Sequence, residues 1–497
     1  MIFVVNKKSS LWNFCLFDLV FSKQILLKFL AKRKTPIAKR QKTYDMHYHF
    51  IAIGGSAMHN LAIALHQKGE TVTGSDDEIF EPSRSRLAAC GLLPEQPGWH
   101  PERITTDIDA IVLGMHAKAD NPELLRAQEL GLKIYSYPEF LYNQTENKTR
   151  VVIGGSHGKT TTTAMVMHVL KTIGIPFDYM VGARVKGFDT MVGLSNNAKI
   201  AVFEGDEYLT SPIDPRPKFH LYKPDIALIT GIAWDHINVF KTFEDYVWQF
   251  ERFSQLIEPQ GSLIYFEGDE NLRAIAAKCR PDITLLPYNT HPYTIADGIT
   301  YLTDGAEKYR LSVFGEHNLQ NIAGAMQVCL KLGVSKADFY RAMTAFEGAD
   351  KRLQLIYSNK HSLSFTDFAH SPSKLKATIA AVRKQFPDKR IVACMELHTY
   401  SSLSSNFLEQ YAGTMDLADT AMVYFNPHAI ELKGLPGITK EQVEAAFAKS
   451  GLKAYDNIDT LQADLKRTPL TDSVLLFLSS GNFAGTDLKM LAEEVLG

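Results

Sequence analysis

The chain has 497 residues, which exceeds one ordinary folded core and predicts two to four domains. Hydrophobic residues make up 45% of it and charged residues 22%, so neither a disordered nor a fibrous protein is expected. The formal net charge of −2 argues against a strongly basic protein, and we do not expect nucleic acid as the main partner.

The cysteines are few and scattered. None of the five forms a Cys-x-x-Cys pair; they are Cys15, Cys90, Cys279, Cys329 and Cys394. This pattern is typical of reduced thiols in the cytoplasm rather than of a disulfide framework or a zinc site. We therefore expect a cytoplasmic protein.

The first 45 residues differ in charge from the rest. They carry ten Lys or Arg and two Asp, a net +8, whereas the remainder carries 43 basic and 53 acidic side chains, a net −10. A membrane anchor, a signal peptide and an upstream region translated from the wrong start codon all remain open. Asp18 and Lys23 interrupt the apolar run before the roughly 18 residues of a spanning helix, and no small-residue cleavage site follows. We favour the wrong start codon, because Met46 opens directly onto a strand; an interfacial basic helix is the alternative.

The region after Met46 is predicted as strand, glycine turn, helix and strand. Its parts are, in order, His47 to Ile53, Gly54-Gly55, a helix to about Gly69, and Thr71 to Thr73. Asp76 follows the turn by about 20 residues, as in nucleotide-binding βαβ units. Ala52 and Ala57 replace two of the three glycines, so a purely structural turn is an equal alternative. Further strands continue the alternation to about residue 147; they are Ala110 to Leu113 and Lys133 to Tyr135.

The strongest motif runs from Arg150 to Thr163. An apolar strand precedes a glycine-rich turn, and Lys159 and Thr160 open a helix. This combination favours a phosphate-binding loop for a nucleoside triphosphate. Unpaired N–H groups at a helix start attract an anion, and the glycines let the backbone approach it closely. The lysine adds positive charge, and the threonine hydroxyl can bind Mg²⁺. The loop is the short form, because Gly-x4-Gly-Lys-Thr would need glycine where Ile153 stands. A glycine turn that precedes a lysine by chance is the alternative.

Two later strands of this region end in polar residues. Ala198 to Phe203 runs into Glu204-Gly-Asp-Glu207, and carboxylates at a strand end in a phosphate-loop domain are where Mg²⁺ is held. A solvated acidic turn is the alternative. Asp225 to Gly231 runs into Trp234-Asp-His236, although a lone histidine is more often structural than a ligand.

Strands and helices alternate again towards the carboxyl terminus. The segment Phe314 to Asn321 places polar groups at a helix start, and the apolar helix from Ile322 to Leu332 follows. The later elements are a strand that ends at Asp367, a helix from about Lys374 to Gln385, and strands Arg390 to Met395, Thr420 to Phe425 and Ser473 to Leu478. This alternation implies a parallel sheet.

Taken in order, these motifs resemble those of the Mur ligases of bacterial cell-wall synthesis. The shared motifs are Gly155-Ser-His-Gly-Lys-Thr-Thr-Thr162, Glu204-Gly-Asp-Glu207, Trp234-Asp-His236, Gly315-Glu-His-Asn-Leu-Gln-Asn321, Lys351-Arg352 and Asp367-Phe-Ala-His-Ser-Pro372. The resemblance covers about residues 46–497. It is nearest to the branch that uses UDP-N-acetylmuramate, because Ala52-Ile-Gly-Gly55 is similar to the first glycine turn of that branch. Within it, four segments are similar to murein peptide ligases: Glu204 to Tyr208, Asp214 to Phe219, Tyr222 to Pro224 and Ser479 to Gly485.

The resemblance implies an α/β fold with three domains. These are a Rossmann-like UDP-sugar-binding domain at 46–147, a central P-loop ATPase domain at 148–347 and a Rossmann-like amine-substrate domain at 348–497, with residues 1–45 outside the fold. It also implies an ATP-dependent C–N ligase with ATP and Mg²⁺ as cofactors. The enzyme would join the lactyl carboxylate of UDP-N-acetylmuramate, through an acyl phosphate, to L-Ala-γ-D-Glu-meso-diaminopimelate in peptidoglycan recycling. The alternatives are L-alanine as the amine, in peptidoglycan biosynthesis, and an ATP-binding switch or scaffold without ligase activity.

The resemblance also implies site residues. Lys159, His236 and His370 are expected to be catalytic, and His370 is the candidate base for the amine. Thr160, Glu204 and His236 are expected to hold Mg²⁺. The ATP-binding set is Gly155, Ser156, His157, Gly158, Lys159, Thr160, Thr161, His317, Asn318, Asn321, Arg352 and Asp367. The UDP-sugar-binding set is Gly54, Gly55, Ser56, Ala57, Met58 and Asp76. We expect a monomer or dimer, and no membrane partner for the folded part.

Three residues depart from the family pattern. Ser156 replaces the usual threonine, and Gly231 replaces the asparagine common before Asp-His. Thr399 stands where the alanine-adding ligases carry arginine, which removes a cation expected to bind the carboxylate of the amine. A tripeptide spreads its charges over a larger pocket and tolerates that loss better than L-alanine, so we expect the tripeptide.

Overall fold

A computed structural model describes residues 45–234 and 239–497. The basic extension at 1–44 lies outside the described residues, as do Asp235 and His236. The predicted catalytic and metal-binding roles of His236 therefore stay predictions. None of the helices in the described ranges combines the length and hydropathy that a membrane crossing requires.

The amino-terminal part forms a four-stranded parallel sheet. Its elements are β1 (His47–Ile51), α1 (Ser56–Lys68), β2 (Thr71–Ser75), α2 (Ser83–Ala89), a 3₁₀ turn (Pro101–Arg103), β3 (Ala110–Leu113), α3 (Pro122–Glu129), β4 (Ile134–Ser136) and α4 (Tyr137–Thr145). The strand order is β2-β1-β3-β4. Gly69, in the left-handed conformation that glycine adopts without strain, ends α1 as predicted.

The central part is built on a seven-stranded sheet of order β13-β12-β11-β5-β8-β6-β7. Its elements are β5 (Thr149–Gly154), α5 (Lys159–Thr172), β6 (Asp178–Met180), β7 (Val192–Gly193), β8 (Ile200–Glu204), β9 (Leu209–Ser211), β10 (Asp214–Pro217), a 3₁₀ turn (Lys218–Leu221), β11 (Ile226–Ile229), α6 (Phe243–Gln255), β12 (Ser262–Phe266), α7 (Glu270–Ala277), β13 (Thr284–Tyr288), β14 (Tyr293–Ala296), β15 (Ile299–Asp304), β16 (Glu307–Arg310), α8 (Glu316–Lys331) and α9 (Lys336–Met343). Within the described residues of the seven-stranded sheet, the edge strands β6 and β7 pair antiparallel, and all other neighbouring strands pair in parallel. Two smaller antiparallel units, β9–β10 and β14–β15–β16, were not predicted.

The carboxyl-terminal part forms a six-stranded sheet of order β17-β18-β22-β19-β20-β21. Its elements are β17 (Gln354–Ser358), β18 (Leu363–Asp367), α10 (Pro372–Gln385), β19 (Arg390–Leu397), α11 (Ser405–Leu408), a 3₁₀ turn (Glu409–Tyr411), β20 (Thr420–Phe425), α12 (Pro427–Leu432), α13 (Lys440–Phe447), β21 (Lys453–Tyr455), α14 (Ile458–Arg467), β22 (Ser473–Leu478), a 3₁₀ turn (Phe483–Gly485) and α15 (Leu488–Leu496). Strand β17 pairs antiparallel at the edge and the other strands pair in parallel. The predicted parallel arrangement is confirmed, and we propose domain boundaries near residues 147 and 347.

Strand β5 lies at the centre of the middle sheet. Val151, Val152 and Ile153 are fully buried, because helices cover both faces of the sheet. Each such side chain contributes about 1.5–3 kcal/mol through burial. Neighbouring strands β8 and β11 run parallel to β5, with Ile153 opposite Glu204 and Gly154 opposite Ile229. The carboxyl ends of the three strands therefore meet at one edge of the sheet.

The polar residues before Ile322 lie at a helix start, as predicted. Helix α8 begins at Glu316, directly after Gly315 with a φ of 93°. Glycine adopts that angle without the strain that a Cβ would cause. His317, Asn318 and Asn321 consequently lie on the first turns of α8, before its apolar stretch from Ile322.

Candidate active site

The glycines of the loop between β5 and α5 are required by close neighbours. Gly158 has a φ of 80°, and a Cβ there would lie 2.2 Å from Oδ1 of Asn321. Gly155 has a φ of 130°, and a Cβ there would lie 2.1 Å from Oγ1 of Thr230. The loop is thus held between α8 and the end of β11. The helix start at Lys159 opens at the carboxyl edge of the sheet, where it suits an anion.

A cavity of about 530 Å³ lies at this edge. Its walls come from the loop, from the first turns of α8 and from residues 352–378 of the carboxyl-terminal part. The predicted ATP and metal residues that line it are Ser156, His157, Gly158, Lys159, Thr160, Thr161, Glu204, His317, Asn318, Asn321, Arg352 and Asp367. Segments separated by about 200 residues of sequence thus meet around one space.

Lys159 is held by oxygen atoms on the loop side of the cavity. Its Nζ donates to the Gly155 carbonyl at 2.6 Å and to Oε2 of Glu207 at 2.7 Å. Burial by itself lowers the pKa of Lys159, but the carboxylates of Glu207 and Asp206 outweigh it and hold the pKa above its ordinary value. The side chain is therefore a fixed cation.

Glu204 and Thr160 form a compact set of oxygen ligands. The Thr160 hydroxyl donates to Oε1 of Glu204 at 2.9 Å, and the Gly182 N–H donates to Oε2 at 2.6 Å. Burial raises the pKa of Glu204, and the hydrogen bonds and Lys159 oppose that shift. A carboxylate beside a hydroxyl suits Mg²⁺, which commonly takes one or two protein carboxylates and completes its shell with water and phosphate oxygens. Within the described ranges no three His, Cys, Asp or Glu side chains form a self-sufficient metal cluster.

The opposite wall carries Arg352 and Asp367. The Arg352 guanidinium lies over the Phe368 ring at 4.5 Å from the centroid, between Lys351 and Leu353 at φ angles of 53° and 47°. Left-handed backbone at two such residues is strained, so the surrounding contacts hold this turn. Oδ1 of Asp367 accepts from the Leu353 N–H at 3.0 Å and is one of those contacts.

His317 faces the same space as Asp367. Burial lowers the pKa of the imidazole, although Asp367 and Glu316 oppose the shift. A neutral ring presents both a donor and an acceptor, which suits recognition of a heterocycle rather than of a phosphate.

Several lining residues were missed by sequence analysis. They are Thr230, Phe266, Asp269, Gln320, Lys374 and Thr378. Asp269 had a local signal, because it precedes α7 and accepts from the N–H groups of Asn271 and Leu272 as an N-cap. Lys374 stands two residues after Pro372 in the first turn of α10, and only the topology brings that turn to the cavity.

His370 and Thr399, which the family resemblance linked to the amine substrate, are not among the residues that line this cavity. The Nδ1 of His370 lies 3.1 Å from the Phe368 carbonyl, and its ring stands edge-on to Phe368. Thr399 closes a turn, because its hydroxyl donates to Oγ of Ser402 at 3.0 Å and accepts from the Ser402 N–H. The base role of His370 stays a prediction.

The first glycine turn forms a second, separate group. The Gly54 N–H donates to Oδ2 of Asp76 at 2.7 Å, and burial raises the pKa of Asp76 to about 6. Ser56 and Ala57 are exposed at the start of α1, and Gly55 precedes them. The Met58 side chain is buried in the apolar core, so at most its backbone can face a ligand.

Sequence comparison assigns this chain to a known family. The profile described as "Mur ligase family, catalytic domain" matches residues 47–149, and "Mur ligase middle domain" matches residues 153–329. The UDP-N-acetylmuramate–L-alanine ligase of Limosilactobacillus reuteri is 32% identical over 393 residues, which cover 76% of this chain and 84% of that protein. This chain belongs to the Mur ligase family. The corresponding ligase of Desulfitobacterium hafniense is 28% identical over 452 residues, covering 88% of this chain and 97% of that protein.

Solved structures of Mur ligases share the fold. A murein peptide ligase from Psychrobacter arcticus superposes with a TM-score of 0.60 at 24% identity, covering 90% of this chain and 99% of that one. The UDP-N-acetylmuramate–alanine ligase of Thermotoga maritima gives 0.65 at 20% identity, covering 90% and 98%. The three-part α/β architecture predicted from the sequence is therefore confirmed. Members of this family are ATP-dependent amide ligases.

Proposed function

We propose that this protein is an ATP-dependent ligase that converts the carboxylate of UDP-N-acetylmuramate into an acyl phosphate and joins it to an amine. One observation carries the proposal. The glycine-rich loop before α5, the Glu204–Thr160 pair and the opposing Arg352 all line a single cavity. A carboxylate and an amine do not condense unaided at neutral pH. The groups needed to transfer a phosphoryl group to the carboxylate are the ones around this space.

The proposed roles follow from charge and position. Lys159 and the N–H groups at the start of α5 bind the β- and γ-phosphates, and Arg352 approaches them from the opposite wall. Mg²⁺ held by Thr160 and Glu204 would neutralise phosphate charge. His317, Asn318 and Asn321 contact the adenine, and Asp367 contacts the ribose. Because these groups are fixed before the reaction, they stabilise the transferring phosphoryl group without reorganisation.

The UDP-sugar is proposed to bind at the first glycine turn. The first turn of α1, directly after Gly55, offers backbone N–H groups, and the Asp76 carboxylate, which accepts from the Gly54 N–H, lies beside it. An acceptor carboxylate next to a turn favours hydroxyl donors of a sugar over a bare phosphate. This turn and the loop before α5 therefore have different ligands in the proposal.

We propose L-alanine as the amine. The similar curated proteins quoted above are L-alanine ligases, and that supports L-alanine better than the tripeptide expected from the sequence. One observation favours the tripeptide as a second candidate. The alanine-adding ligases carry an arginine at the position of Thr399, and here the Thr399 hydroxyl bonds within a turn instead. The carboxylate of free L-alanine would therefore lack the cation expected to bind it.

The experiment offers both amines to the purified full chain at equal UDP-N-acetylmuramate, ATP and Mg²⁺. Release of ADP and formation of the amide are followed for each amine. L-Alanine should be preferred by about tenfold in kcat/KM, which corresponds to about 1.4 kcal/mol of transition-state binding. Faster amide formation with the tripeptide would restore the recycling role. Absence of UDP-sugar-dependent ADP release with either amine would favour a switch or scaffold.

A further inference from the structure

A buried chain of hydrogen bonds runs behind the cavity and ends on Lys159. Tyr246 on α6 is fully buried, and its hydroxyl donates to Oε1 of Glu207 at 2.9 Å. Glu207 is also fully buried, and its other oxygen, Oε2, accepts from Lys159 Nζ at 2.7 Å. Each oxygen of this carboxylate thus has its own donor, from two different elements.

The chain continues from Tyr246 into the loop itself. The Tyr246 oxygen lies 2.9 Å from Oγ of Ser156, and the Ala233 N–H donates to the same Oγ at 2.9 Å. One direction satisfies every atom: Ala233 donates to Ser156, Ser156 donates to Tyr246, and Tyr246 donates to Glu207. The loop, the segment after β11 and the acidic motif after β8 are therefore linked through one phenol.

The position of that phenol is set by packing. The Tyr246 ring lies edge-on to Phe250 with centroids 5.2 Å apart and contacts Phe240 at 5.4 Å. Thr242 caps α6 by accepting from the Asp245 N–H, which fixes the first turn, where Tyr246 lies. A buried aromatic ring has few alternative rotamers, so the hydroxyl is a fixed point.

We propose that Tyr246 is a positioning residue that orients Glu207 and, through it, places the Lys159 ammonium for phosphoryl transfer. The terminal torsion of a glutamate is broad and nearly two-fold, so a carboxylate bound through one oxygen can turn. A lysine has a flexible four-carbon stem, and its partners decide where the charge lies. Fixing both oxygens of Glu207 removes that freedom. The inference rests on the proposed ligase function, and Tyr246 does not itself touch substrate.

The test replaces the hydroxyl alone. Tyr246→Phe and the matched control Tyr288→Phe are compared in the full chain, with kcat and the KM for UDP-N-acetylmuramate measured by ADP release. Tyr288 is also a buried tyrosine of the central sheet, and its hydroxyl has no hydrogen-bond partner in the described part of the chain. We expect Tyr246→Phe to lower kcat about tenfold with KM for the UDP-sugar within about twofold, and the control to change kcat by less than about twofold.

A double-mutant cycle separates positioning from general stability. Glu207→Gln keeps the shape of the side chain and removes the charge that holds Lys159. In that background Tyr246→Phe should lower kcat by less than about twofold, because the group through which it acts is already altered. Melting temperatures measured alongside identify any loss of folded protein, and kcat is expressed per folded molecule.

The outcomes are distinct. Equal kcat for Tyr246→Phe and Tyr288→Phe, or effects of Tyr246→Phe and Glu207→Gln that simply multiply, would overturn the positioning role. A fall in melting temperature with unchanged kcat per folded molecule would overturn it as well. Lack of UDP-sugar-dependent ADP release by the unaltered protein would instead refute the proposed ligase function, whatever the variants do.

Discussion

The two strand–glycine turn–helix units of this protein share a local structure and differ in what surrounds them. The first runs through β1 and α1, and the second through β5 and α5. In the first unit, the Gly54 N–H of the turn donates a hydrogen bond to the carboxylate of Asp76. In the second, the helix start faces a cavity of about 530 Å³ with Lys159 in its wall. A glycine turn therefore does not specify its ligand; residues brought in from other segments do.

The two turns carry side chains of opposite charge. Asp76 at the first turn becomes negative as the pH rises past its raised pKa of about 6, so we propose that the diphosphate of the UDP-sugar contacts the N–H groups at the start of α1 rather than this carboxylate. Lys159 at the second turn stays positive, because Glu207 and Asp206 hold its pKa up against burial. Of these two turns, the second has a lysine at its helix start, which suits the triphosphate that we propose there. This difference can be tested by breaking each turn in a matched way.

The largest effect is expected from the cation of the second turn. Lys159→Ala should lower turnover by at least about 100-fold, since a charge-stabilising group at phosphoryl transfer contributes a few kcal/mol. Steady-state ADP release with saturating substrates measures it, and Lys186→Ala, at an exposed ion pair with Glu347, is the control. If Lys159→Ala turned over as fast as the control, Lys159 would have no role in phosphoryl transfer.

A glycine exchange compares the two turns directly. In Gly158→Ala the new methyl would lie 2.2 Å from Asn321 in a left-handed backbone, whereas in Gly55→Ala the nearest atom lies at 3.4 Å. We expect Gly158→Ala to reduce the free energy of unfolding by about 1–3 kcal/mol and Gly55→Ala to change it by less than about 0.5 kcal/mol. Urea denaturation measures both. Equal losses would mean that the second turn is no more constrained than the first.

A smaller effect is expected from Glu204, the proposed metal ligand of the second unit. Glu204→Gln keeps an acceptor for Thr160 and Gly182 but removes the charge, so the Mg²⁺ concentration for half-maximal turnover should rise about tenfold. Turnover is titrated with Mg²⁺ at fixed ATP. The same titration on Asp76→Asn, at the first turn, should match the unaltered protein. A Mg²⁺ dependence that Glu204→Gln leaves unchanged would contradict the assignment of this carboxylate.

The smallest effect concerns the pH dependence of stability at the first turn. Burial raises the pKa of Asp76 to about 6 in the folded protein from an ordinary value of 3.8, so between those values the folded state binds the extra proton. The free energy of unfolding contributed by this group is thus greatest at low pH and falls as pH rises from about 4 to about 6. Asp76→Asn should flatten that fall, and the exposed Asp120→Asn should not. Urea denaturation at several pH values checks it; parallel curves for the two variants would refute the assignment.

The sequence by itself determined the local elements and the order of motifs. Strands at 110–113, 420–425 and 473–478 have the predicted bounds, because continuous apolar runs fit strands covered on both faces. The phosphate loop was predicted from glycine spacing and the lysine, since its chemistry depends on consecutive residues. The resemblance to the family added the distant site residues, and most of those in the described ranges meet at one cavity.

Tertiary structure alone decided which distant side chains meet and which do not. Asn321 lies against Gly158, Tyr246 reaches Glu207, and Lys374 enters the cavity wall because strand order and register bring their elements together. No local pattern encodes such contacts, since they depend on how separate elements pack. The antiparallel strands β14 to β16 and the Thr399 turn differ, because nearby residues signal both: Asp-Gly pairs at 297–298 and 304–305 are typical of hairpins, and Thr399 bonds to Ser402 three residues further on. Sequence patterns reflect neighbours along the chain, whereas a site is made of neighbours in space.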